Sequence, residues 1–217
     1  MFRDGNHEGA GMGTQRHITT LEGLAALYGE PMGASLTKEV DYITDQYRVF
    51  IEMAPFVVVA SVGPEGLDCS PRGDPAGFVR VLDRKRVMIP DRRGNNRIDS
   101  MRNIIHDPRV SLLFLIPGVN ETLRINGRAR ILVDDEFART FAVNGKVPQT
   151  LLEVTADRVY YQCPKALIRS KLWSLDAQVP RSALPTGGQI LQEITKNAVN
   201  AAEYDAAYPE RIRQTIY

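Results

Sequence analysis

Apolar positions first recur with a helical period. Leu21, Leu24 and Leu27 follow Thr19 and Thr20, either of which can cap a short helix that Gly29 and Pro31 stop. Leu36, Val40, Ile43, Tyr47, Phe50 and Ile51 keep that spacing and predict a longer helix ending before Pro55. After Pro55 the period changes. Phe56–Val62 is short, β-branched and continuously apolar, so it reads as a strand buried on both faces. Gly63-Pro64-Glu65-Gly66 is a turn, and Leu67–Ser70 is its return strand. Phe78–Leu82 and Arg86–Ile89 bracket the turn Asp83-Arg84-Lys85 as a second hairpin.

A loop over Pro90–Asn96 leads to a helix from about Arg97 to Ile105, with Ile98, Met101, Ile104 and Ile105 as its apolar stripe. Val110–Ile116 and Thr122–Val133 read as strands, the first buried and the second long and alternating. Asp134 caps a helix through Phe137 and Phe141, and Leu151–Gln162 is a strand pair or one bent strand. Pro164 opens a short helix ending near Trp173, and a last helix spans about Thr186–Tyr204 before an exposed tail. Six or so strands joined mainly by hairpins, with helices at the margins, predict a mainly β, α+β fold: an antiparallel barrel with peripheral helices. Strict β/α alternation, which a parallel nucleotide-binding sheet requires, is missing. Residues 1–17 are polar and Gly-rich and are expected to be a disordered tail, leaving residues 18–217 as a single domain.

Composition narrows the function. A net charge of +1 argues against nucleic acid as main partner, although Arg92, Arg93, Arg97, Arg102 and Arg109 crowd one stretch that suits a small anion. Two cysteines without CxxC spacing read as reduced thiols, and three scattered histidines offer neither a zinc site nor a triad. No segment reaches the roughly 20 apolar residues of a membrane span, and the start lacks a signal-peptide core. The expectation is a soluble, cytoplasmic protein with neither nucleic acid nor membrane as partner. G-x-G-x-x-G after a strand, a P-loop and a G-x-S-x-G elbow are all absent.

Two segments carry candidate chemistry. In Ile89–Arg97 a strand gives way to a Gly-containing loop, with Asn95 or Asn96 where a helix cap is expected. Free N–H groups at a helix start attract an anion, and Arg92, Arg93 and Arg97 add donors for phosphate. A well-capped surface helix with solvated arginines is the plain alternative. In Ser70–Phe78, two prolines and two glycines interrupt pairing and open a gap whose free backbone groups can read a planar heterocycle. A wide hairpin loop is the alternative there.

Taken together the segments resemble the pyridoxamine 5'-phosphate oxidase-like FMN-binding split-barrel family, in its branch of FMN-dependent enzymes of unassigned substrate. Ser70-Pro71-Arg72-Gly73-Asp74, Ile89-Pro90-Asp91-Arg92 and Gly94-Asn95-Asn96-Arg97 carry the resemblance. Asn103-Ile104-Ile105, Pro108-Arg109-Val110, Leu113–Gly118, Glu121–Gly127 and Cys163–Ser170 with Trp173 extend it over nearly the whole chain. The resemblance implies a homodimer with FMN in a groove at its interface. It places Arg72, Gly73 and Asp74 along the isoalloxazine, Ile89 and Pro90 against the ring and ribityl chain, and Asn95, Asn96, Arg97 and Arg92 on the phosphate. Arg169 and Trp173 complete the site from one subunit or the other, Trp173 being equally suited to core or interface packing. One departure stands out. True pyridoxamine phosphate oxidases end in a signature with Arg-x-His, whereas Arg181–Gly188 here has no histidine, so vitamin B6 activity is not carried over.

The resulting expectation is an FMN-dependent oxidoreductase acting on an unidentified small molecule. The rivals are a non-catalytic flavin-binding or flavin-sequestering protein, and a split barrel holding heme or another flavin-like cofactor. Tyr160, Tyr161 and Arg72 stand as acid–base candidates without preference.

Overall fold

The structure is a computed structural model that describes residues 17–31 and 33–217, so the expected tail lies, His17 apart, outside the described residues. The chain divides into two compact units, residues 1–37 and 38–217. The first contains α1 (Leu21–Ala25) and α2 (Gly33–Thr37). Thr20 caps α1, its hydroxyl accepting from the Gly23 N–H at 3.1 Å.

In the second unit the helix expected through Ile51 covers only α3 (Asp45–Met53). Upstream of it, Val40 exchanges backbone hydrogen bonds with Val159 at 3.1 and 2.7 Å, and the Ile43 N–H donates to Arg84 O at 2.7 Å. These pairings hold residues 40–43 against the later strand that carries Val159 and the turn that carries Arg84, and Thr44 then caps α3 through the Tyr47 N–H. Helical spacing of apolar residues was satisfied there by a bridge and a helix in succession.

The strands are β1 (Phe56–Gly63), β2 (Gly66–Gly73), β3 (Arg80–Val81), β4 (Arg86–Pro90), β5 (Arg109–Leu115), β6 (Thr122–Leu132) and β7 (Leu151–Gln162). All pair antiparallel in the order β2-β1-β5-β6-β7-β4-β3. β2 and β3 remain as edges, so the barrel is split rather than closed. Opposite β7, β6 shifts register between Asn126 and Gly127, where a Cβ on Gly127 would stand 2.1 Å from Thr155 O.

Burial along the strands alternates. On β1 and β5, Val57, Val59, Val110, Leu112 and Phe114 are buried in the core with Ile51, Val79, Ile89, Leu123 and Ile125. Val58, Ala60, Leu113 and Leu115 on the opposite face are only half-buried, so within one chain these strands are fully covered on one face alone.

Helix α4 (Asp99–His106) packs on β1 and β2, and α5 (Asp135–Arg139) is capped by Asp134 as expected. After β7 come α6 (Lys165–Ser170), α7 (Gly187–Ile194) and α8 (Ala201–Thr215). The single helix expected over Thr186–Tyr204 is therefore a helical hairpin. Lys196 and Asn197 turn with φ of 51° and 69°, and Asn200 caps α8. Asp205 of α8 accepts from the Thr186 hydroxyl and the Gly188 N–H, joining the two helices. Helix α8 runs beyond Tyr204, where an exposed tail was expected, and Tyr217 is half-buried. No helix among the described residues is long and apolar enough to cross a membrane.

Candidate functional site

Two loops and one edge strand define the main cavity. β2 pairs with β1 without interruption from Gly66 to Gly73, Pro71 standing opposite Val58. The expected gap is absent because β2 is an edge strand, where a residue without an N–H is tolerated. Past β4, residues 91–98 form a loop ahead of α4. Neither Asn95 nor Asn96 caps that helix. Asn95 Oδ1 instead accepts from the Arg97 N–H at 3.1 Å, a local turn, and the cap position is Ile98 without a side-chain bond. Asn96 and Ile98 both adopt left-handed backbone, with φ of 60° and 51°. For a β-branched residue such as Ile98 that conformation is strained.

A third segment was not foreseen. Asn144 (φ 49°) and Gly145 (φ 74°) make a tight turn between Val143 and Lys146, which exchange backbone hydrogen bonds at 3.1 and 2.8 Å. An Asn-Gly pair is the favoured sequence for such a turn, and it could have been read as one. It carries Lys146 to the cavity.

The cavity measures about 1280 Å³, larger than the roughly 300–1,000 Å³ common for small-molecule sites. Of the residues expected there, Arg72, Gly73, Pro90, Arg92, Asn95, Asn96 and Arg97 line it. Ile89 does not: its side chain is in the core, on the face of β4 opposed to the cavity-lining residues. Arg169 and Trp173 are not in the lining either, and the Trp173 indole donates to Val119 O at 2.8 Å. Tyr160 and Tyr161 also lie outside it; Tyr160 accepts from Arg124, and Lys38 sits over the Tyr161 ring. Asp91, Arg93, Ile98, Lys146, Val147, Pro148, Ile216 and Tyr217 are among the other lining residues.

Asp74 lies beneath the lining, its side chain 1% exposed. Its Oδ2 accepts from Arg92 Nε at 2.6 Å, and Arg92 Nη1 donates to Phe141 O at 2.7 Å. Arg92 is thus largely committed to the framework. Arg97 pairs with Asp99 at 2.8 Å in an exposed contact, and Arg72 bonds only the Pro71 carbonyl of its own strand. Among the described residues Arg93 and Lys146 have no ion-pair partner.

Two carboxylates near the cavity differ in character. Burial pushes the Asp91 carboxyl up, against a smaller opposing pull from Arg72 and a hydrogen bond from Thr150. Burial also raises Asp68, but hydrogen bonds from Ser100, Ser70 and the Cys69 backbone together hold it below the ordinary carboxylate value. Among the described residues no group of three or more His, Cys, Asp or Glu is placed to hold a metal ion. The lining combines the cations Arg72, Arg92, Arg93, Arg97 and Lys146 with apolar side chains and with Asp91, whose carboxyl is pushed up by burial. Such a lining can hold an anionic small molecule.

Solved structures resemble just over half of this chain. HupZ from group A Streptococcus aligns at 17% identity and TM-score 0.44, over 55% of this chain and 93% of that one. A protein related to general stress protein 26 (pyridoxinephosphate oxidase family) from Clostridium acetobutylicum gives 17% and 0.41, over 54% and 85%. An FMN-binding protein from Syntrophomonas wolfei gives 10% and 0.42, over 54% and 83%. Among curated proteins no match was found. Residues 43–163, more than half of the chain, match the family described as Pyridoxamine 5'-phosphate oxidase. That stretch runs from the last residues before α3 to the end of β7 and includes β2, β4 and the cationic loop between β4 and α4, so the chain belongs to the pyridoxamine 5'-phosphate oxidase family.

Proposed function

We propose that the chain is an FMN-dependent oxidoreductase acting on a small molecule, a cytoplasmic homodimer that binds FMN in the cavity between β2, the 91–98 loop and the 145–149 loop. The observation that carries this reading is the set of cations lining a cavity that apolar side chains also line: Arg93 and Lys146 without an ion-pair partner among the described residues, and Arg97 held only by an exposed pair with Asp99. Arg93, Arg97 and Lys146 hold the phosphate, with Asn95 and Asn96 offering amide donors. Arg72 and Gly73, at the end of the β2 edge, lie along the ring, and Pro90 packs against ring and ribityl chain. Asp74 and Arg92 serve the site as framework, because Arg92 in the lining is held by the buried Asp74 beneath it. Bound there, FMN would supply two-electron redox chemistry, while the protein contributes position, charge and exclusion of water.

The dimer has its own support. Val58 pairs with Leu113 and Phe56 with Leu115, so four apolar side chains lie together on the half-covered sheet face. Pro71, paired with Val58, links that face to the cavity. A second copy covering this face would close the site beside it.

Titration of apo-protein with FMN and with riboflavin tests the site. FMN binding much more tightly is expected, since riboflavin offers nothing to the cations; equal affinities would sink the assignment. Reduction of the bound flavin by a nicotinamide donor, followed by reoxidation, is expected of an enzyme. Tight FMN binding with no reduction by any donor would make the protein a flavin store.

A further inference from the structure

The end of the chain enters the cavity wall at a specific point. Tyr217 donates its hydroxyl to Asp74 Oδ1 at 2.8 Å, while Asp74 Oδ2 takes Arg92 Nε at 2.6 Å. The Asp74 N–H donates to Pro55 O at 3.1 Å and Arg92 Nη1 to Phe141 O at 2.7 Å. One buried carboxylate therefore ties together the end of β2, the start of the cationic loop, the segment after α5 and the residues beyond α8. A carboxylate this buried is costly unless its lone pairs find donors. The tyrosine hydroxyl supplies the side-chain donor to Oδ1, which favours the seated position.

Ile216 and Tyr217 both line the cavity, and the volume of about 1280 Å³ remains with them in place. They act as a wall and not as a plug. We infer that Tyr217 is a positioning residue for the bound ligand: its bond to Asp74 latches the C-terminal segment as a movable wall that slows ligand release and steadies the 91–98 loop through Arg92. This inference rests on the reading of the cavity as the FMN site. Neither Tyr217 nor the 216–217 segment figures in the match to the family, which ends at residue 163.

The test is Tyr217→Phe, which keeps the ring and removes the donor. Release of FMN, followed by the return of free-flavin fluorescence on dilution, should speed up by about three- to tenfold, the size of one hydrogen bond, with little change in association. In the ligand-free protein, deuterium uptake over residues 91–98 should rise in the variant. A lowered melting temperature with unchanged FMN release and unchanged uptake would make Tyr217 merely structural and overturn the inference. Wild-type protein that binds no FMN overturns the cofactor reading instead; uptake in the variant then decides whether the latch exists.

Discussion

At the scale of single residues, two arginines of one loop, Arg92 and Arg97, have separate fates, and substitution should separate them. Arg92 is locked to a buried carboxylate. Removing it strands the Asp74 charge, so Arg92→Ala should lower the stability of the apo-protein by about 3 kcal/mol in urea denaturation. Arg97 pairs with Asp99 at the surface, 74% exposed, where such a pair contributes little. Arg97→Ala should therefore leave the apo melting temperature nearly unchanged. It should weaken FMN by about tenfold to a hundredfold, the loss of a charge-assisted hydrogen bond of about 1.5–3 kcal/mol. Arg109, paired with Asp107 outside the cavity lining, is the matched control. Normal FMN affinity in Arg97→Ala would remove Arg97 from the phosphate site.

Asp91 gives a residue-scale prediction of opposite sign to the usual carboxylate. Burial raises its folded value above the unfolded one. Below the ordinary carboxylate range both states hold the proton and no penalty exists. As pH climbs from there through the raised value, the unfolded state ionises more readily and the fold loses stability. Asp91→Asn mimics the protonated form. Its melting temperature should exceed that of the wild type at pH 7, and the gap should close near pH 3. A gap independent of pH would show that burial does not perturb this group.

At the scale of elements, glycine settles where strands and helices bend or meet. Gly127 lies at the register shift of β6, with no room for a Cβ against Thr155 O. Gly127→Ala should therefore cost about 1–3 kcal/mol by overpacking, read from the denaturation midpoint. The cationic loop is anchored near its start by the Arg92 pair and ends on Ile98, in left-handed backbone, at the start of α4. That strained residue stands directly in the cavity wall, where backbone strain commonly serves binding.

At the scale of the whole molecule, the split sheet leaves one apolar face half-covered and puts the cavity beside it. Sedimentation at low micromolar concentration should show a dimer. Leu113→Glu, placed in the centre of that face, should yield folded monomers that bind FMN more weakly. Monomers in the wild type with FMN fully bound would contradict the shared site. The sequence by itself determined the hairpin-linked antiparallel class, most strand positions, the Asp134 cap and the cationic stretch at 92–97, because alternation, turn residues and charge are local properties. It also determined the family resemblance, since the quoted motifs follow one another in order. Only the tertiary structure decided that residues 40–43 leave the helix to pair with β7 and β4's neighbour turn, since a bridge competes with helix only once its partner is in place. It alone decided that the buried Asp74 neutralises Arg92 in the cavity lining. And it alone brought Asp91, Lys146 and Tyr217 to one cavity, because residues tens of positions apart share a site only through the packing of the strands and helices that carry them.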